Sequence, residues 1–349
     1  MPDLWFFPIQ ASEAAQTVDS LYIGLLWLMG FFLVGVAGTI LVFLFYYRRG
    51  GNPSRRHASR GNLLVEGVWI VIPTLLAVGI FIWSMSVYIS LQAMPESGMD
   101  VYVVGKQWMW KVQYPNGKRE INSLHVPAGR TVRLQMTSQD VIHSMYLPAF
   151  RVKQDVLPGR FTTLSFTATK PGTYHLFCAE YCGTDHANMR GTVTVMEPGA
   201  YQEWLGDEEP TQTLAESGRE LFKDKGCASC HDPDTAVDAP RLIELFSRKV
   251  ELRSGRVVTA DTNYIRKSIL MPNAQIVSGF EPIMPSFQGQ LSEEEIIDLI
   301  AYIKSMPEQQ TIEPRGPVEG PTDLGDQTPE ERETLDEEIQ QQQDDQRDD

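Results

Sequence analysis

Hydrophobic and polar positions divide the chain into three regimes. Residues 21–47 and 67–95 run without a charged side chain. Each exceeds the roughly 20 residues that cross a bilayer as a helix, so the pattern predicts two membrane spans rather than core helices or a cleaved signal peptide. From residue 99 the pattern changes to strands. VYVVGKQWMWKVQY (101–114), TVRLQMTS (131–138), TTLSFTA (162–168), TYHLFC (173–178) and GTVTVM (191–196) are rich in β-branched and aromatic residues, with PNG, PAG, PGR and PG turns between them. Short strands at this spacing predict an antiparallel sandwich or barrel of about 100 residues. After residue 213 the period is helical. ESGRELFKDKG (216–226) reads as one helix. LSEEEIIDLIAYIKSM (291–306) reads as another, with Ser292 and Glu295 as a capping box and Ile296, Leu299, Ile300 and Ile303 as its apolar face.

These changes divide a multi-domain membrane protein into a short external segment (1–20), a two-helix transmembrane hairpin (21–95), a β-sandwich (96–198), a polar linker (199–212), an all-α domain (213–306) and an acidic tail (307–349). The formal net charge is −15, but residues 307–349 hold 15 acids and three arginines, so the rest of the chain carries only −3. The acidity therefore belongs to the tail, and no nucleic acid is expected among the partners. The tail is nearly free of aromatic residues and includes QQQQ (340–343), a composition that predicts disorder. Between the two spans, RRGGNPSRRHASRGN holds Arg48, Arg49, Arg55, Arg56 and Arg60 and no acid, whereas the segment before the first span holds Asp3, Glu13 and Asp19 and no base. The positive-inside rule places the arginine loop in the cytoplasm and everything after about residue 98 outside.

Only four cysteines are present, in two pairs. An oxidising compartment would allow two disulfides, but each pair sits beside other metal ligands. In CAEYCGTDHANM (178–189), Cys178, Cys182, His186 and Met189 offer thiolate, imidazole and thioether, a soft set suited to copper. Two thiolates suffice to bridge two metals. Zinc rarely recruits methionine, and a disulfide would leave His186 and Met189 unexplained. A dinuclear site needs a second histidine, for which the candidate is His143 in SQDVIHSMYLPAFRVKQDVLPGR (138–160). The second cluster, CASCH (227–231), is the attachment signature of c-type haem, with Cys227 and Cys230 forming thioethers and His231 the proximal ligand. The adjacent histidine argues against a thioredoxin-like CxxC. No histidine follows His231, so the sixth ligand comes from Met271, Met284 or Met306. Met284, in the FEPIMPSF loop, is preferred, with Met271 second.

Cys178, Glu180, Cys182, His186 and Met189, together with Asp140, Val141, His143 and Ser144, resemble the CuA domain of the cytochrome c oxidase subunit 2 family over about residues 20–198. With the CASCH domain, the whole resembles the caa type, in which a cytochrome c domain is fused to that subunit. The resemblance implies a cupredoxin-like sandwich whose two cysteines bridge both coppers. One copper adds a histidine and Met189; the other adds a histidine and the backbone carbonyl of Glu180. The Glu180 side chain would face a magnesium ion shared with the catalytic subunit. Trp108, in KQWMW, matches the residue through which electrons enter, whereas Trp110 reads as strand packing. Glu66, in EGVWIVIP, matches an acid near the mouth of a proton pathway. Asp155 and Arg160 match positions near the magnesium and the partner's haem propionates. His57, His125 and His175 read as structural or solvated.

The function implied is electron entry into a haem–copper oxidase. An external donor, a cytochrome or a quinol:acceptor oxidoreductase complex, would reduce the haem, and subunit 1, with further oxidase subunits, would reduce oxygen to water and pump protons. The chain would sit in a bacterial inner membrane with its copper and haem domains on the periplasmic or external side. The short connector would keep haem near copper at high effective concentration. Two alternatives share the same sequence features: the equivalent subunit of a CuA-type nitric oxide reductase, and a membrane-tethered electron carrier.

Overall fold

The computed structural model describes residues 7–51, 63–93, 95, 97–207, 212–233 and 235–306. The acidic tail, Asp3, and most of the arginine loop with Arg55, Arg56, His57 and Arg60 lie outside the described residues.

Two long helices come first, α1 (Glu13–Tyr46) and α2 (Leu63–Gln92). Both are long and apolar enough to cross a membrane, and they turn large apolar side chains outward, with Trp27 77% and Leu63 83% exposed. Helix α1 starts well before the uncharged run. Ser12 caps it, accepting the Ala15 N–H at 3.0 Å while its hydroxyl donates to Phe150 O at 2.8 Å. Asp19 is buried against Arg151 at 2.8 Å, and Gln10 Nε2 donates to its other oxygen at 2.7 Å. The expected external segment thus ends as helix sealed onto the sandwich. The charge at Asp19 is tolerated because Arg151 neutralises it, a partner 132 residues away that a hydropathy pattern cannot register.

The sandwich has two five-stranded sheets. One runs in the order β3 (Arg119–Ile121), β2 (Met109–Gln113), β1 (Met99–Lys106), β5 (Thr131–Ser138), β8 (Thr162–Thr167). The other runs β4 (Ser123–Pro127), β10 (Arg190–Met196), β9 (Gly172–Cys178), β6 (His143–Leu147), β7 (Val152–Val156). The core between them includes Trp110, Tyr114, Leu134, Met136, Phe150 and Leu176, all fully buried. Two pairings depart from the antiparallel expectation: β1 lies parallel to β5, and β4 parallel to β10. The chain crosses from one sheet to the other between β4 and β5, and so arrives beside β1 in the same direction. The stretch 101–114 is also not one strand. It folds into the β1–β2 hairpin at Gln107 and Trp108, a turn without glycine, held from outside by the Asp140 carboxylate on the Gln107 N–H at 2.8 Å.

Where a polar connector was expected, α3 (Pro198–Gly206) lies on the sandwich. Its Tyr201 is buried, and its Trp204 stacks on His125 at 4.3 Å with Lys118 Nζ 4.2 Å from its ring centre. The last domain contains α4 (Leu214–Asp224), α5 (Ala228–His231), α6 (Thr262–Leu270) and α7 (Glu293–Ser305). It is not entirely helical, because β11 (Lys249–Glu251) and β12 (Val257–Thr259) pair as a short antiparallel ribbon. Capping boxes start α4 at Thr213 and α7 at Ser292.

Strand β1 serves two cores. Val101 and Val103 face the sandwich interior, while Tyr102 and Val104 join the apolar core of the helical domain together with Phe161. Polar contacts fix the pose. Asn263 exchanges two hydrogen bonds with the backbone of Phe161, at 2.8 and 3.1 Å. Arg266 donates to Gly159 O at 2.6 Å and pairs with Glu293, and Lys304 Nζ donates to the Tyr102 hydroxyl at 3.2 Å. The two domains are docked, where the sequence suggested only a tether.

Candidate metal and haem centres

The first ligand cluster is assembled by strand adjacency. His143 opens β6, Cys178 closes β9, and Met145 pairs with Cys178 in the ladder between them. Cys182, His186 and Met189 lie on the loop that follows. That loop is closed by Cys178 N–H to Met189 O at 3.1 Å and Ala179 N–H to Ser144 O at 2.8 Å. Both thiols are free and their sulfurs are 3.8 Å apart. Cys182 Sγ lies 3.4 Å from His186 Nδ1 and 3.7 Å from Met189 Sδ, and Cys178 Sγ lies 3.3 Å from Glu180 O. A ring nitrogen of His143 and both sulfurs fall within 4.8 Å of one another, all buried. His143 Nδ1 is buried and makes no well-formed hydrogen bond, with only the Cys178 thiol to meet it, a costly state that a bound metal ion would relieve.

Electrostatics prepare the pair for a cation. Burial works against ionising Cys178, but His143 and the backbone of Ser144 and Glu180 outweigh it and bring its thiol below the ordinary range. Burial and the resulting Cys178 charge push Cys182 up. Ionising the second thiol beside the first is unfavourable, and a bound cation would offset that repulsion. Two sulfurs, two imidazoles, a thioether and a carbonyl are donors enough for a copper pair, and they fit it.

Sequence reading named Asp140 and Trp108 without the contacts by which they hold these ligands in place, and it missed Gln107. Asp140 Oδ1 lies 2.8 Å from His143 Nε2 and also accepts the Val141 N–H at 2.7 Å. Partial burial disfavours its charge, but the Gln107 amide, His143 and the Val141 amide keep Asp140 below the usual carboxylate range. Such a carboxylate–imidazole pair fixes ring orientation and tautomer, and the Asp-x-x-His spacing was a legible signal for it. Gln107 Nε2 and Trp108 Nε1 both donate to Cys182 O, at 2.8 and 3.2 Å. Trp108 thereby touches the cluster, whereas Trp110 is fully buried in the core, edge-on to His143. Glu180, Asp155 and Arg160 are exposed, and Glu66 is exposed in the first turn of α2, apart from the cluster.

The second cluster lines a cavity of about 520 Å3. Cys227, Cys230 and His231 line it, together with the apolar side chains of Phe222, Ile265, Ile269, Leu299 and Ile303. His231 Nδ1 lies 3.0 Å from Pro240 O, which orients the ring. Burial lowers the His231 pKa, with the Pro240 carbonyl opposing, which favours the neutral imidazole that a ligand needs. Met284 lines the same cavity. Met271 is 45% exposed and is not among the lining residues. Met306 sits at the C-terminal end of α7, partly buried against the domain core. An apolar cavity lined by both a CxxCH turn and a thioether fits haem.

A membrane-anchored sandwich with a copper-type ligand cluster, docked to a haem-binding domain, defines an electron-transfer subunit with two centres in series. Residues 118–196 match the family described as cytochrome C oxidase subunit II, periplasmic domain, and residues 215–307 match cytochrome c. The chain is 31% identical over 251 residues to cytochrome c oxidase subunit 2 of Thermostichus vulcanus, covering 56% of this chain and 76% of the relative, and 33% identical over 227 residues to that of Cereibacter sphaeroides, covering 51% and 74%. It belongs to the cytochrome c oxidase subunit 2 family. The match to the subunit of Alkalihalophilus pseudofirmus, 28% identical, extends over 307 residues, 84% of this chain and 88% of the relative. Among solved structures, the periplasmic domain of subunit II of cytochrome oxidase from Bradyrhizobium japonicum is 35% identical and covers 33% of this chain and 96% of that one, with a TM-score of 0.32.

Proposed function

We propose that the chain is the electron-entry subunit of a haem–copper oxidase, with Cys227, Cys230, His231 and Met284 holding a covalent haem c and His143, Cys178, Glu180 O, Cys182, His186 and Met189 holding dinuclear CuA. The observation that carries this reading is the buried sulfur–imidazole cluster, in which His143 Nδ1 makes no well-formed hydrogen bond. When bound, haem and the copper pair each supply a one-electron carrier between an external donor and subunit 1, where oxygen is reduced.

The chain's own residues supply the rest. Asp140 holds His143 through Nε2 and leaves Nδ1 for the cluster, whereas the Pro240 carbonyl holds His231 through Nδ1 and leaves Nε2 free as the ligand atom. The short, well-bonded loop between Cys178 and Met189 keeps the ligands from rearranging when the charge of the site changes, which favours fast electron exchange. Trp108, bonded to Cys182 O, is the electron-entry side chain. Exposed apolar residues beside the cluster, Val141, Ile142 and Tyr181, are the surface for subunit 1. The Glu180 carboxylate and Asp155 are assigned to a magnesium ion at that interface, and Glu66 to the entrance of a proton path. The arginine loop is placed on the cytoplasmic side, with the copper and haem domains facing out. The alternatives, a nitric oxide reductase subunit and an isolated carrier, are less favoured because the matched relatives are oxidase subunits.

Metal analysis and low-temperature EPR on the membrane-extracted chain test the reading. Two coppers and one haem per chain, with one unpaired electron shared by both coppers, are expected. One copper or none, with Cys178 and Cys182 oxidised to a disulfide, would overturn it.

A further inference from the structure

The two domains meet around one carboxylate. Glu294, in the first turn of α7, is only 17% exposed and forks between two residues of the sandwich. Its Oε1 accepts from Lys111 Nζ at 2.5 Å and its Oε2 from Gln139 Nε2 at 2.8 Å. Lys111 Nζ also donates to Gln139 Oε1 at 3.4 Å, closing the network. Burial alone would raise the Glu294 pKa, but Lys111 outweighs it and keeps the group below the usual carboxylate range. The fork is therefore charged at neutral pH.

Both sandwich partners lead to the ligand cluster. Gln139 donates its N–H to Gly105 O at 3.0 Å and precedes Asp140, the residue that orients His143. Gly105 in turn faces the imidazole, because a Cβ there would lie 3.0 Å from His143 Cδ2. Lys111 lies on β2, whose turn carries Gln107 and Trp108, the two donors to Cys182 O. A single side chain of the haem domain thus ties the segment that aims His143 to the hairpin that holds the Cys182 backbone.

We propose that Glu294 is a positioning residue for the copper centre: by clamping Lys111 to Gln139 it fixes His143 and the Cys182 loop, so that the docked haem domain tunes the copper pair. The proposal rests on the copper reading above. It makes the docked domain more than a donor of electrons, since part of the outer shell of the copper site then belongs to it.

The test compares the purified oxidase complex with its Glu294→Ala, Glu294→Gln and Glu251→Ala variants. Glu251 is an exposed carboxylate of the same domain, on β11, and controls for loss of charge alone. The readouts are the copper hyperfine pattern, the copper midpoint potential and the rate of copper loss to a chelator. Glu294→Ala is expected to change the first two and to speed copper loss by up to about tenfold, the lower end of what outer-shell partners contribute. Glu294→Gln keeps a hydrogen bond to Gln139 and gives a smaller change; Glu251→Ala gives none. Should Glu294→Ala disturb haem absorption, Gln139→Ala, which leaves the haem domain's sequence intact, is expected to reproduce the copper changes. Wild-type copper behaviour in Glu294→Ala or in that second variant, or the same shift in Glu251→Ala, would overturn the proposal. A wild-type complex without a dinuclear copper signal would instead sink the copper reading on which it stands.

Discussion

Replacing Gly218 by alanine sets two physical effects against each other, and the structure gives the sizes. Alanine removes the conformational penalty of a mid-helix glycine, a gain of about 1 kcal/mol. Gly218, however, lies where α4 crosses α7. A Cβ there would come within 2.0 Å of Asp298 O, 2.5 Å of Asp298 C and 2.9 Å of Tyr302 Cβ, where ordinary contact begins at 3.4 Å. The obstacle is backbone, so it cannot rotate away, and the helices must part by more than an ångström. Overpacking of this kind costs typically 1–3 kcal/mol, and a backbone collision belongs at the upper end or beyond. Separation also forfeits dispersion contacts around Leu214, Phe222, Ile296 and Ile300, all buried at that crossing or beside it. The net expectation is a loss of about 2 kcal/mol, or about 10 °C in the melting temperature of a domain this size. The assay is a thermal melt of the haem-loaded chain followed by the absorption of methionine-ligated haem, since Leu299 and Ile303 of α7 also wall the haem cavity. Gly199→Ala on α3, where a Cβ meets nothing within 4 Å, is the control and leaves the melt unchanged or slightly raised. A Gly218→Ala chain that melts at or above wild type would refute the reasoning, because propensity would then have outweighed packing.

Burial pushes the Asp298 carboxyl up to about 6, with Arg119 opposing and Glu294 and Glu295 adding. A raised acid stabilises the fold while protonated, and that contribution is lost as pH rises through about 6. Asp298→Asn should therefore flatten the melting profile between about pH 4 and pH 6 and gain about 1 kcal/mol above that window, discounted for residual solvent; an unchanged pH slope would contradict this. Arg151→Met leaves Asp19 buried and unpaired, and should cost about 3–5 kcal/mol of detergent-phase stability, most of it recovered by adding Asp19→Asn. No recovery in the double variant would mean that packing, not charge, holds the junction. Met284→Leu should abolish the methionine–haem absorption while Met271→Leu retains it, and the reverse result would exchange the two assignments.

How much of this was legible in the sequence depends on how local the cause was. The capping box at Ser292 and the face of Ile296, Leu299, Ile300 and Ile303 appear in α7 as expected, because helix start and amphipathic period are set within a turn or two. Cys178, Cys182, His186 and Met189 could be picked out as candidate ligands from spacing because one short stretch carries all four, and the CxxCH turn could be picked out for the same reason. His143 needed a guess about strand order, since only the β6–β9 pairing places it beside Cys178. The turn at Gln107 and Trp108 was hidden because its stabilising group, the Asp140 carboxylate, comes from 33 residues away.

By itself, then, the sequence determined the two long apolar helices, the short strands, the terminal helix and the candidate ligand types, all of which follow from side-chain period and from spacing along one segment. The tertiary structure alone decided three things. It decided that Asp19 is buried as half of an ion pair, that the outer face of β1 is covered by the haem domain through Tyr102 and Val104, and that Glu294 reaches Lys111 and Gln139. Each is a meeting of groups more than 100 residues apart, and a buried polar or apolar surface takes its meaning from what covers it, which no local pattern encodes.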